Sequence, residues 1–193
     1  MSKKKMILTA VILTLVLVIG GTIAFFTDTD SATNTFTIGK IDISLSEPNW
    51  NASNAQNVTP GKVIAKDPTI TNDSTTNSAY VFAKVEVPAL NSSTPLFTYT
   101  INSGWTEVGT ASFADGKITY VYAYGNNTAM TELISGSSTS TAVFDSVTFN
   151  STLTSSDLAG VNTTQNIVIT AYGIQIDNLG ETTPSGIWGL FSE

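Results

Sequence analysis

Apolar and polar residues alternate with a period of two through most of the chain, and a strand is what that period predicts. Asn34-Thr35-Phe36-Thr37-Ile38 alternates, Gly39-Lys40 shifts the phase as a bulge or bend does, and Ile41-Asp42-Ile43-Ser44-Leu45 resumes. Glu47 to Gly61 has no period and reads as loop. Val63 to Thr71 reads as a strand pushed to an edge or a break by Pro68, which has no amide hydrogen. The clearest strand is Ser78 to Val87: Ala79, Val81, Ala83, Val85 and Val87 share one face, Tyr80, Phe82, Lys84 and Glu86 the other, and Pro88 is expected to end it. Leu96 to Ile101 and Trp105 to Val108 are further candidates.

Asp115-Gly116 between alternating segments predicts a hairpin, because both residues accept the positive φ of a tight turn. The returning strand sets Ile118, Tyr120, Tyr122 and Tyr124 on one side, a row expected to pack rather than to bind a cofactor. Met130 to Ile134 and Val143 to Phe149 read as strands, and Thr154 to Gly160 as a one- or two-turn helix. Gln165 to Ile176 is apolar on both faces and is therefore expected in a central, covered position. The tail from Pro184 to Phe191 is expected to pack as a short turn or helix with Trp188 as a plug. Eight to ten strands with few short helices predict an all-β protein, a jelly-roll-like antiparallel β-sandwich.

The N-terminus departs from this pattern. Lys3, Lys4 and Lys5 precede an unbroken apolar run, Met6 to Ile19, and Gly20-Gly21-Thr22-Ile23-Ala24-Phe25-Phe26 leads into polar sequence. Basic start, apolar run and small residues at Thr22 and Ala24 have the form of a secretory signal helix cut between Ala24 and Phe25. The alternative is a retained anchor, since Met6 to Phe26 carries no charge over a length that spans a bilayer. The reading divides the chain into a signal peptide (1–24), an extended N-terminal segment (25–35) and a sandwich domain (36–193).

Removing 24 of 193 residues takes three of the eight Lys and none of the 15 acidic residues, which leaves 169 residues with a net charge of −10. Nucleic acid is not an expected partner of so acidic a surface, and membrane is expected only through the uncleaved precursor. The chain has no Cys, His or Arg. Disulfides, thiolate metal sites, His-Glu-x-x-His zinc chemistry and Ser-His or Cys-His nucleophiles are therefore excluded. Carboxylates and amides remain, which suit calcium better than catalytic zinc, but Asp28-x-Asp30 is too short for a calcium loop. Asp145 and Asp157 are acid and base candidates that nothing in their spacing brings together. No cofactor, no metal and no enzymatic activity are expected.

In order along the chain, Gly20-Gly21-Thr22-Ile23-Ala24-Phe25-Phe26-Thr27-Asp28, then Asn34 to Ile43, Pro60 to Pro68, Asn77-Ser78-Ala79-Tyr80-Val81-Phe82, Leu133 to Ser146 with Phe144-Asp145-Ser146, and Ala171 to Asp177 resemble the TasA/camelysin family of secreted biofilm-matrix proteins with SipW-type signals. The resemblance implies a Gram-positive, secreted fibre subunit of the cell surface or extracellular matrix, with itself, its signal peptidase and an accessory assembly or anchoring protein as partners. It implies donor-strand exchange, in which Phe25, Phe26, Thr27, Asp28, Thr29 and Asp30 lead a strand that one subunit lends to the next. Camelysins also carry a peptidase label, which these residues do not support.

A monomeric adhesin is the alternative, with Trp50 or Trp105 as apolar anchor, although core packing is the expectation for both. Asn-x-Ser/Thr triplets begin at Asn51, Asn57, Asn72, Asn91, Asn126, Asn150 and Asn162 and argue modestly for exposed loops.

Overall fold

The computed structural model describes residues 40–191. The predicted leader, its cut, the arm 25–35 and the strand from Asn34 to Ile38 lie outside the described residues. Among the described residues there are twelve strands, all paired antiparallel. They are β1 (Ile43–Ser46), β2 (Val63–Ala65), β3 (Thr69–Asn72), β4 (Ala79–Asn91), β5 (Thr94–Pro95), β6 (Phe97–Thr98), β7 (Trp105–Glu107), β8 (Ser112–Ala114), β9 (Lys117–Tyr124), β10 (Ser138–Thr139), β11 (Ser146–Phe149) and β12 (Val168–Gln175). A short helix, α1 (Pro184–Gly189), follows the last of them.

The largest sheet runs β12-β4-β9-β7, with β5 on β4 and β8 on β9. Two smaller sheets, β1-β3-β10 and β2-β11-β6, supply the opposing layer. β4 organises the core, because Ala79, Val81, Ala83, Val85 and Val87 all have no exposed surface. They pack with Ile64, Ile70, Phe144, Val147 and Phe149 from the other layer. Each buried valine stabilises the fold by about 1.5–3 kcal/mol. The result is the expected antiparallel sandwich.

The opposite face of β4 changes character along its length. Phe82 is buried beneath α1, with the rings of Trp188 and Phe191 at 5.3 and 5.7 Å. Farther on, Glu86 meets Lys84 at 3.6 Å and Lys117 at 3.8 Å, part-exposed pairs worth little. Thr183 caps α1 by accepting the Gly186 amide, and Trp188 plugs that end of the sheet, as the tail's composition predicts. Asp115 (φ 50) and Gly116 (φ 72) make the expected tight turn between β8 and β9.

Several elements differ from the sequence reading. Pro88 does not end β4. Ala89 donates to the Gly116 carbonyl on the β9 side, so by alternation the nitrogen of Pro88 faces the other side, past the end of β12 pairing at Val168 and Glu86, where the ladder needs no donor. Pro68 does make the expected break: β2 and β3 fall in different small sheets on either side of it.

The predicted strand Val143 to Phe149 shortens to β11 for a related reason. Val143 donates to the Pro68 carbonyl and Asp145 accepts from the Lys66 amide, so this stretch bridges the same crossover before ladder pairing starts. Leu96 to Ile101 keeps only Phe97–Thr98 as strand. Met130 to Ile134 contributes isolated bridges, in which Leu133 exchanges two 2.9 Å backbone bonds with Ala79. Thr154 to Gly160 is a series of turns and not a helix: the Asp157 carboxylate accepts from the Thr154 amide and hydroxyl, and Gly160 turns left-handed at φ 88 before a second turn can form.

The Asn-x-Ser/Thr triplets have a structural use. At Asn51, Asn91, Asn126 and Asn150 the side-chain oxygen accepts both the amide and the hydroxyl of the residue two positions on, and at Asn162 the amide alone. Such turns staple loops without burying apolar surface. Asn72 departs from the exposed-loop expectation, since it is wholly buried.

Candidate functional site

Gln165 to Ile176 reads as a central strand, yet among the described residues β12 pairs only with β4 and stands at the edge of the largest sheet. Its register with β4 is unbroken over eight residues. Because Ala89 faces β9, alternate β4 residues Phe82, Lys84 and Glu86 face β12, and their partners Tyr172, Thr170 and Val168 use their own backbone groups on β4. The amides and carbonyls of Ile169, Ala171 and Gly173 point away from β4. They have no strand partner among the described residues.

This edge is apolar on both sides. Ile167, Ile169 and Ala171 pack on the main core, while Tyr172 and Ile174 join the aromatic cluster under α1. Natural edges are blunted by charge, proline or bulges. Val-Ile-Thr-Ala-Tyr-Gly-Ile-Gln carries none of these. At Gly173 the sandwich closes tightly, since a Cβ there would sit 3.0–3.2 Å from side-chain carbons of Ile41 and Ile43.

At the start of β12 the layers part around a groove of about 630 Å³. Its floor is Ile64, Phe97, Val147 and Phe149; one wall is Trp50, Ala52, Ala55 and Val58, the other Leu158, Val161 and Ile167. Carboxamides of Asn57, Asn162, Gln165 and Asn166 line it as well. A cluster around the buried Lys66 and Asp67 fixes the first wall. Lys66 Nζ lies 2.6 Å from Glu47 and 4.8 Å from the Trp50 ring centre, and Asp67 accepts the Asn49 amide and side chain at 2.9 and 2.7 Å. Trp50 therefore sits at the groove mouth, 39% exposed, and not in the core. Trp105 is a core residue whose indole donates to the Thr141 carbonyl at 3.0 Å.

The tyrosine row packs as the strand spacing predicts. The Tyr99 and Tyr122 hydroxyls are 3.1 Å apart, and Tyr99 stacks on Phe144 at 4.4 Å. Burial pushes both hydroxyls well above the ordinary phenol range, so they stay protonated. Asp145 and Asp157 are not brought into one constellation. Asp145 accepts from the Asn102 side-chain amide at 2.7 Å, whereas Asp157 is bound within its own turn, its carboxyl held below the usual range by the Thr154 hydroxyl and amide. Ala24, Phe25, Phe26, Thr27, Asp28, Thr29 and Asp30 lie outside the described residues. Sequence reasoning missed the groove, whose walls are loops without periodicity, and it missed the edge, because two apolar faces pointed to a covered central strand.

These features define an all-β sandwich protein whose main sheet, among the described residues, ends in a strand with no partner on its outer side, beside an apolar groove. The chain is similar to the camelysin family: the family model described as Camelysin metallo-endopeptidase matches residues 2–94. No curated protein and no solved structure matches. The family is one of extracellular and cell-surface proteins. No helix among the described residues is long and apolar enough to cross a membrane.

For the metal in that family description the sequence offers no imidazole and no thiolate donor. Catalytic zinc takes imidazole, thiolate and carboxylate ligands. The sequence offers neither of the first two, and no three acidic residues converge among those described.

Proposed function

We propose that the protein is a secreted structural subunit of a cell-surface or biofilm-matrix fibre, assembled head to tail by strand donation. After cleavage between Ala24 and Phe25, the arm 25–35 of one molecule adds to β12 of the next. The observation that supports this is β12 itself, eight residues of edge strand without charge, proline or bulge. An added strand satisfies outward backbone groups at a net gain of about 0.5–1.5 kcal/mol per hydrogen bond and covers apolar surface on both sides of the sheet. Donor and acceptor are different surfaces, so the contact repeats without closing and gives an open filament. Retention of the leader would keep the arm tethered, which makes cleavage the trigger. Since the donor set does not fit catalytic zinc, the role proposed is structural and not peptidolytic.

The test is expression of the full chain in a secreting Gram-positive host, with negative-stain microscopy of the released protein. Fibres are expected from the natural sequence. Deleting residues 25–35 is expected to leave monomers with an unchanged β circular-dichroism spectrum. Fibres of normal yield from the deletion variant would refute strand donation.

A further inference from the structure

We infer that Phe25 of the incoming arm seats in the groove beside Trp50, and that the arm therefore runs parallel to β12. This rests on the fibre reading and adds to it a direction, a register and a division of labour between the two phenylalanines. The arm, Phe-Phe-Thr-Asp-Thr-Asp-Ser-Ala-Thr-Asn-Thr, has large apolar side chains only at its N-terminal end. The acceptor is equally asymmetric. Its groove lies at the N-terminal end of β12, where Ile167 is both a groove wall and the residue before the strand. Toward the other end, Gly173 is already packed against Ile41 and Ile43. Apolar end meets apolar groove only when the two strands point the same way.

Strand alternation then assigns the faces. Phe25, Thr27 and Thr29 share one side, Phe26, Asp28 and Asp30 the other. Carboxylates turned into the core would be buried without partners, so the Asp28 side faces solvent and Phe25 faces inward. Phe26 falls on the outer face, the face on which Val168 is 37% exposed.

Thiol cross-linking tests the direction, and the absence of native cysteine removes background. Thr27→Cys is placed in one population of the full chain, and either Ile169→Cys or Gln175→Cys in a second; the two are processed by the secreting host, mixed and oxidised. Fibres in which T27C links to I169C of another copy and not to Q175C support the seating. Fibres in which T27C links only to Q175C, or to neither variant, overturn it and leave strand donation standing. Failure of the natural sequence to form fibres overturns both.

Thiols introduced at the edge can themselves disturb assembly, so Phe25→Ala and Phe26→Ala provide a second reading, with N-terminal sequencing to verify the same cut. Fibre yield is expected to fall about tenfold or more for Phe25→Ala, as for a buried aromatic anchor, and less than about threefold for Phe26→Ala. The reverse order overturns the assignment.

Discussion

Replacing Asn72 with aspartate is expected to unfold the sandwich near neutral pH. Asn72 has no exposed surface. Its side-chain nitrogen donates to the carbonyls of Asn77 and Leu133, both at 2.9 Å, and its oxygen accepts the Ser74 amide at 3.1 Å. One amide thus ties the end of β3 to the approach to β4 and to the bridge at Leu133. Aspartate of the same shape removes both donors and sets a carboxylate against two carbonyl oxygens in the interior. The Asn77 carbonyl loses this donor and the Leu133 carbonyl keeps only the Ala79 amide, a loss of roughly 1–3 kcal/mol, and the buried charge adds several more. The sum is on the order of 5 kcal/mol, comparable with the whole stability of a domain.

The pH dependence has a definite sign. The new carboxyl would have a folded-state pKa above its unfolded value of about 3.9. Destabilisation therefore grows as pH rises from the unfolded value through the folded one, and is least in acid, where the protonated group regains one donor. Urea unfolding at pH 4 and pH 7 measures it, and a variant equally stable at both would show that Asn72 is not held as described.

Ala171→Pro is expected to leave the monomer folded and abolish fibres. Position 171 presents its amide to the open side of β12, so proline removes no bond to β4, and edge strands are where proline is tolerated. The same ring blocks an incoming strand at the middle of the acceptor edge. Thr170→Pro is the paired control: its amide faces β4, so the substitution removes a ladder hydrogen bond and is expected to destabilise the monomer clearly more than Ala171→Pro. Thermal unfolding within about 2 kcal/mol of the natural protein, with sedimentable fibre reduced to background, is the result expected for Ala171→Pro. Normal fibres from that variant would remove β12 as the acceptor.

The contrast between these neighbours also shows where the sequence was informative. Period-two alternation reports which faces are covered, and it located the inward face of β4 and the wetting of its outer face correctly. Local chemistry served as well: Asp115-Gly116 placed a turn, Pro68 a break, Trp188 a plug. Periodicity does not report whether an edge is paired. Apolar residues on both faces of β12 therefore read as a central strand, whereas the structure sets it at the edge with both faces packed.

Pro88 misled for a similar reason, since a proline's effect depends on which side its missing hydrogen would face. The groove was not legible because it joins two loops about a hundred residues apart, Trp50 to Val58 and Leu158 to Ile167, and only the fold brings them together. Asn and Thr abundance, uninformative as composition, becomes intelligible as a set of side-chain-stapled turns.

Amide hydrogen exchange at Ile169, Ala171 and Gly173, followed residue by residue in released monomer and in fibres dissolved under quench conditions, tests the central claim most directly. The account predicts fast exchange of these three amides in the monomer and strong protection in the fibre, with Thr170 and Tyr172 protected in both. Protection of all five in the monomer, or no gain on assembly, would contradict it.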